Sequence, residues 1–359
     1  MKIAEITEFS AGICGVWARV FSESKEFAKL GHEVLVLSSN IEKGTDKIAK
    51  REETIDGITI KRMESQRTLS QLLSKNVTNF DFKKELSAFK PDIVITHLLH
   101  PHSFKAVKLC NNLGTPCYLV THAPFNVDRK FPLNIVTKIF NYFNSTKIPK
   151  FTKIISITKW EIPYLKKMGV TDNKIEYIPN GLPDEFLTQP KSPITKDILF
   201  LGRIAPVKNL EMIVQAAKLL PSINFDIVGQ AEEDYLHKLQ ALIKKLGVKN
   251  VNILPPIWDL KEKIKIIDEH EIFILPSTRE AMPIALLEAM ARGKLVISSM
   301  TDGGKEVVTN ENGFLFKTGD YNQLADIIKT NIHNKRVIVP TTKFLWRNIM
   351  LKYLKLFKK

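Results

Sequence analysis

Cysteine is scarce in this chain of 359 residues: Cys14, Cys110 and Cys117 form no CxxC pair and cannot all be bridged. A disulfide scaffold and a thiolate metal site are therefore excluded, and buried thiols in a reducing compartment are expected. No apolar run approaches the roughly 18 residues that a spanning helix needs. The first residues, Met1-Lys2-Ile3-Ala4-Glu5-Ile6-Thr7-Glu8, carry acids where a secretory leader requires an apolar stretch, so a cytoplasmic protein is expected. Acids are also in deficit, 38 Asp plus Glu against 53 Lys plus Arg, which leaves a formal charge of +15. That surplus favours an anionic partner: nucleic acid, a lipid surface or a phosphorylated small molecule. With 44% hydrophobic and 25% charged residues, the composition is that of a folded globular protein and excludes disordered and fibrous classes.

At roughly 150 residues per domain the length predicts two domains. Short runs rich in Ile, Val and Phe alternate with longer amphipathic stretches, the pattern of βα units around a mainly parallel sheet. In the first half, strands are expected at Lys2 to Thr7, Glu33 to Ser38, Ile58 to Arg62, Asp92 to Thr96, Cys117 to Thr121, Lys153 to Ile157 and Lys174 to Ile178. A helix with Val16, Val20, Phe27 and Leu30 on its inner side falls between the first two and is closed by Gly31. The second half restarts with strands at Asp197 to Leu201, Asn224 to Val228, Val251 to Leu254, Glu271 to Leu275, Lys294 to Ser299 and Gly313 to Phe316.

The expected organisation is an N-terminal domain over 1–182, a proline-rich linker over 183–196, a C-terminal domain over 197–338 and a helix over 339–359. In that last helix Trp346, Ile349, Met350, Tyr353, Leu354 and Phe357 share one stripe, with Lys343, Arg347, Lys352, Lys355, Lys358 and Lys359 at other positions. Two doubly wound domains facing each other leave the strand C-terminal ends to line a shared cleft.

The richest chemistry lies between Leu275 and Gly293. A strand end is followed by a polar loop, then by a helix with Pro283 as its first residue and Gly293 past its end. Amides at the start of that helix, Met282 to Ala285, suit sugar hydroxyls or phosphate oxygens. Glu280 before the helix and Glu288 upon it stand far enough apart to hold two parts of one extended ligand. A carboxylate accepts paired hydrogen bonds from a vicinal diol, so one suits a ribose and the other a hexose.

These residues resemble the signature of glycosyltransferase family 4, retaining enzymes of the GT-B fold: two glutamates separated by seven residues, as Glu280 and Glu288 are. Pro276-Ser277, Glu288-Ala289-Met290-Ala291 and Gly303-Gly304-Lys305-Glu306-Val307-Val308 match as well. Ala281 stands where the family usually has glycine. A second similar stretch is Phe200-Leu201-Gly202-Arg203-Ile204-Ala205-Pro206-Val207-Lys208, in which the resemblance gives Arg203 and Lys208 the diphosphate of a nucleotide-sugar. Two cations at a strand end stabilise the charge on a leaving diphosphate without a metal ion.

In the N-terminal half, Pro91-Asp92-Ile93-Val94, His97, Thr121-His122 and Tyr177-Ile178-Pro179-Asn180-Gly181 follow the family pattern in order. His122 falls where the family keeps a histidine facing the sugar. Cys14-Gly15 replaces the family's paired glycines, and Gln230-Ala231-Glu232 alters its Gly-rich turn after Gly229; Gly15 alternatively serves helix packing. His97, His100 and His102 suggest a metal, but no acid or thiol cluster accompanies them in the sequence, so no metal site is expected.

The resemblance implies an α/β protein: a GT-B fold of two Rossmann-like domains with a C-terminal helix crossing back to brace the first. It implies a retaining hexosyltransferase of glycan or glycolipid biosynthesis that needs no cofactor or metal. A UDP-, GDP- or ADP-sugar would be the donor and a glycan or lipid-linked molecule the acceptor. Expected catalytic residues are His122, Arg203, Lys208 and Glu280; Gly15, Ala281, Met282, Pro283, Ile284 and Glu288 join the donor site. The stretch 129–153 interleaves Arg129, Lys130, Lys138, Lys147, Lys150 and Lys153 with five aromatic rings, so peripheral contact with the inner membrane face stands beside a plain solvated helix. The alternatives are a GT-B sugar-nucleotide epimerase, against which the paired glutamates argue, and a basic nucleic-acid-binding protein, which would place its charge on a face rather than in a cleft.

Overall fold

A computed structural model describes residues 1–12, 14–43, 47–65, 78–123, 146–333 and 341–358. The chain divides into two units, Met1–Gly181 with Trp346–Lys359, and Leu182–Leu345.

In the first unit the strands are β1 (Lys2–Phe9), β2 (Glu33–Ser39), β3 (Glu52–Ile55), β4 (Ile58–Met63), β5 (Ile93–His97), β6 (Cys117–Val120), β7 (Lys153–Ser156) and β8 (Ile175–Tyr177). They form one sheet in the order β3-β4-β2-β1-β5-β6-β7-β8, parallel except for β3. The central strand β1 is buried along almost its whole length although it alternates apolar and polar residues. Its acids therefore lie under protein on both faces of the sheet: Glu5 accepts from Ser24 of the helix Gly15–Lys29, and Glu8 meets His102 of the helix Pro101–Leu113. The expectation had no strand at β3. An Asp56-Gly57 pair with φ of 50° and 80° turns the chain between β3 and β4, the two-residue loop in which both residues take positive φ.

The second unit carries β9 (Lys196–Leu201), β10 (Phe225–Val228), β11 (Val251–Leu254), β12 (His270–Leu275), β13 (Leu295–Ser299) and β14 (Gly313–Phe316), all parallel in the order β11-β10-β9-β12-β13-β14. Strand order reverses between β9 and β12. At such a switch point the connections leave to opposite sides of the sheet and open a crevice at the strand C-terminal ends.

Two boundaries differ from expectation. The stretch 183–196 is packed into the second unit: it forms the short helix Glu185–Thr188, Phe186 is buried, and Arg292 donates to the carbonyls of Phe186, Gln189 and Pro190. The last helix spans Trp346–Phe357 and belongs to the first unit, with Leu356 rather than Leu354 buried beside Trp346, Ile349, Met350 and Tyr353.

Candidate active site

The second unit gathers its predicted residues at the β9/β12 switch point. Arg203 and Lys208 follow β9, while Glu280 lies in the loop after β12. Direct bonds stitch the loops together: the Thr278 amide and hydroxyl donate to the Val207 carbonyl at 2.9 and 3.2 Å, and the Gly303 amide donates to the Glu280 carbonyl at 3.1 Å. Glycine is required at two of the approaches. A Cβ on Gly229 would stand 1.8 Å from the Gly202 carbonyl oxygen, and one on Gly303 would stand 2.5 Å from that of Ala281.

Lys208 Nζ donates to Glu280 Oε1 at 2.6 Å, and Ser277 Oγ donates to the same oxygen at 2.5 Å. Arg203 does not join them; its guanidinium pairs with Glu232 at 2.6 Å. Glu232 sits in the turn where this sequence departs from the family pattern, and that departure supplies the partner. Glu288 lies on the helix Ile284–Ala291, nearly buried, and pairs with Lys263 of the helix Leu260–Glu269. Lys263 went unrecognised because nothing in the order of the sequence links it to Glu288. Pro283 is the cap of that helix rather than its first residue, and Gly293 follows it with φ 74°. Ile284 and Ala285 then hold the first helical amides, which have no acceptor within the helix.

In the first unit, Gly15 opens the helix after β1 and His122 lies in the loop after β6. Gly15 opens its helix at an exposed position where a Cβ would meet nothing within 4 Å, so tight packing does not explain it. His122 follows β6 with φ 58°, an uncommon conformation for a side chain of its size. Its Nε2 lies 3.0 Å from His97 Nδ1, and His97 Nε2 lies 2.6 Å from Glu5 Oε2. Burial lowers His97 to about 3 and holds His122 well below the usual histidine range, so both rings are neutral near pH 7. Burial likewise raises Glu5 to about 8, only partly offset by the Ser24 hydrogen bond and the Arg19 charge.

Beneath this relay lies a buried ion cluster that periodicity does not reveal. Arg19 and Glu23 occupy the inner side of the helix Gly15–Lys29 among Val20 and Phe27, while Leu30, expected there, is exposed. Arg19 Nε is 3.0 Å from Glu23 Oε2, and the guanidinium donates to Pro179 O, Ile178 O, Asn180 Oδ1 and Tyr353 Oη. Burial raises Glu23 to about 7, against the pull of Arg19.

The acid missing beside His97, His100 and His102 in the sequence arrives from β1. Glu5 reaches His97, and Glu8 Oε2 lies 2.7 Å from His100 Nδ1 and 3.2 Å from His102 Nδ1. Burial alone would raise the Glu8 carboxyl, yet the hydrogen bond with His100 and then the neighbouring His102 ring hold it far below the carboxylate range. The basic-aromatic stretch 129–153 lies largely outside the described residues; from 146 on, Lys147 and Lys150 are exposed and Phe151 is buried.

Comparison with known proteins places these features. Residues 13–186 match the family described as Glycosyltransferase Family 4, and residues 186–341 match Glycosyl transferases group 1. An Escherichia coli UDP-Gal:alpha-D-GlcNAc-diphosphoundecaprenol alpha-1,3-galactosyltransferase is 29% identical over 302 residues, 75% of this chain and 70% of that one. A Campylobacter jejuni N,N'-diacetylbacillosaminyl-diphospho-undecaprenol alpha-1,3-N-acetylgalactosaminyltransferase is 23% identical over 233 residues, 59% of this chain and 60% of that one. An uncharacterised Haemophilus influenzae glycosyltransferase is 29% identical over 194 residues, 51% of this chain, and the match spans 52%, about half, of its length. Among solved structures, sucrose-phosphate synthase from Thermosynechococcus elongatus superposes with a TM-score of 0.79 at 16% identity, covering 99% of this chain and 98% of that one. Anabaena HepE in complex with UDP gives 0.78 at 16% identity, with both chains fully covered. Two family matches in chain order, over two sheets that carry the expected motifs at their strand ends, make this chain a member of the family 4 glycosyltransferases, with the GT-B fold.

Proposed function

We propose that the chain transfers a hexosyl unit from a nucleoside diphosphate sugar to an acceptor hydroxyl with retention of anomeric configuration. The observation that carries this reading is the β9/β12 switch point, where two cations and the first signature glutamate come from loops bonded to one another. On this reading Glu288 holds the ribose, Arg203 and Lys208 take the diphosphate, and Glu280 binds sugar hydroxyls with the backbone of Ala281, Met282, Pro283 and Ile284. The two cations answer the leaving-group charge, so no magnesium or manganese bridges the phosphates. No side chain is placed as a covalent nucleophile; same-face attack assisted by the leaving phosphate is the route that remains.

Gly15 and His122 are assigned to the sugar and acceptor side. With Glu5 protonated near pH 7, its hydroxyl donates to His97 Nε2, His97 Nδ1–H donates to His122 Nε2, and His122 is left with Nδ1–H as a donor for a sugar oxygen. A uridine donor and a polyprenyl-diphosphate-linked acceptor are supported by the UDP held in the Anabaena structure and by the acceptors named for the two bacterial relatives. Such an acceptor brings the enzyme to the inner membrane face as a peripheral protein. No helix among the described residues is long and apolar enough to cross a membrane.

The reading is tested by thermal shift with UDP, GDP, ADP and a single-stranded oligonucleotide, followed by product analysis with the matching sugar donors. Stabilisation by a nucleoside diphosphate and an α-linked product from an α-donor are expected. A larger shift with the oligonucleotide would favour the nucleic-acid-binding alternative.

A further inference from the structure

We propose that Glu8, His100 and His102 form a binding site for one divalent transition-metal ion of the zinc class, at the C-terminal edge of the first sheet. The argument begins with a ring orientation. His102 Nε2 lies 2.8 Å from the His97 carbonyl oxygen, which can only accept, so Nε2 carries a hydrogen and Nδ1 is the ring nitrogen left to coordinate. That Nδ1 is buried and makes no hydrogen bond, and it faces Glu8 Oε2. His100 Nδ1 faces the same oxygen from the other side. One carboxylate oxygen thus meets two imidazole nitrogens, and a single bridging proton serves only one of them.

The other carboxylate oxygen is already committed, since Thr78 donates to Glu8 Oε1 from its amide and, at 2.7 Å, from its hydroxyl. Both oriented ligands therefore have outer partners, a carbonyl behind His102 and Thr78 behind Glu8, the arrangement that fixes tautomer and direction around a bound ion. All three ligand atoms lie within 4.8 Å of one another, a spread that bonds of about 2.0–2.2 Å close with small side-chain movement. Two neutral imidazoles and one carboxylate suit zinc and its neighbours rather than magnesium or calcium. Glu8 and His102 are 1% and 2% exposed, whereas His100 is partly open, so the remaining coordination positions face outward.

The site stands at the C-terminal ends of β1 and β5 within the first unit, and it rests on none of the donor assignments. It is tested on the full chain after chelator treatment and desalting, by equilibrium dialysis against zinc and by absorption of the cobalt-loaded protein. One equivalent is expected, with cobalt d–d bands and no thiolate charge-transfer band, which separates this site from the three cysteines. Glu8→Gln and His102→Gln should weaken zinc by at least about tenfold with unchanged circular dichroism. If those variants fail to fold, His100→Gln, at the partly open position, decides. No zinc bound by the parent, a thiolate band, or an unchanged affinity in folded His100→Gln would overturn the proposal and leave a hydrogen-bonded imidazole–carboxylate cluster.

Discussion

The two units handle charge in opposite ways. In the second, three partly exposed cations each stand against one acid: Arg203 on Glu232, Lys208 on Glu280, and the unpredicted Lys263 on Glu288. In the first, Glu5, Glu23, Arg19 and His97 are buried and their protonation is set by burial and by one another. Pairs near solvent are worth little and exchange readily, so an incoming diphosphate or diol can displace them. Buried clusters cost several kcal/mol to disrupt and hold one geometry. The contrast suits the proposed roles, in which one half trades partners with a charged ligand and the other keeps a ring in place.

The largest effect that would test this contrast is on turnover. Arg203→Ala and Lys208→Ala should each lower turnover about a hundredfold with the fold intact, the loss expected for one stabiliser of developing charge. Steady-state rates at saturating donor measure it, and near-normal turnover in either variant would remove that residue from the diphosphate.

A smaller effect belongs to the buried half. Glu5 and Glu23 titrate at about 8 and about 7 in the fold, above an unfolded carboxyl, so the unfolded chain ionises first as pH rises. Their contribution is fully present in acid and is lost as pH climbs from the ordinary carboxyl range through about 8. Glu5→Gln keeps a donor toward His97 without the charge, so its decline in stability between pH 5 and 9 should be shallower than the parent's. Urea unfolding at pH 5, 7 and 9 reads the difference, and parallel declines would show that Glu5 is ionised throughout. Glu5→Ala, which orphans His97 and Ser24, should cost about 1–3 kcal/mol per stranded partner.

Smaller again is the release of Arg203. Glu232→Gln removes a half-exposed competitor and should raise nucleoside diphosphate affinity by about two- to fivefold, in keeping with the worth of an exposed pair. Calorimetry measures it, and weaker binding would mean that Glu232 positions the guanidinium for the ligand instead of competing with it. The last prediction is of no effect: added magnesium or manganese should leave turnover within about twofold, since on the proposed reading two cations answer the phosphate charge. A strong activation would move the diphosphate onto a metal.

The α/β class and thirteen of the strands were legible because buried parallel strands read as short β-branched runs, and the loop motifs after β9 and β12 were legible because their residues are contiguous or nearly so. The first unit's site was not. Glu5 and Glu8 read as solvent-facing charges within a strand, one on each face, and Arg19 and Glu23 sit at helix positions that periodicity assigns to the core. Only pairing across long stretches of chain, Glu5 with His97 and Arg19 with Tyr353, shows why polar residues occupy those places. The β3 hairpin carried a readable local signal in Asp56-Gly57. The linker was misplaced because prolines 183, 190 and 193 punctuate a segment that Arg292, a hundred residues on, holds by its carbonyls.

The final helix has a consequence for how the protein is made. Tyr353 completes the partners of Arg19, its ring packs on Phe27, and a Cβ on Gly181 would run into Trp346. A ribosome therefore finishes the second unit before the first has all its parts, and at about 5–20 residues per second Arg19 and Glu23 wait roughly 15–65 s for residues 346–357. During that interval Arg19 and Glu23 lack the cover that later keeps them dry. Nascent chains arrested before residue 346 should be cut in the helix Gly15–Lys29 by a protease that spares chains carrying residues 346–357, which makes the arrival of that helix the closing step of this unit's folding.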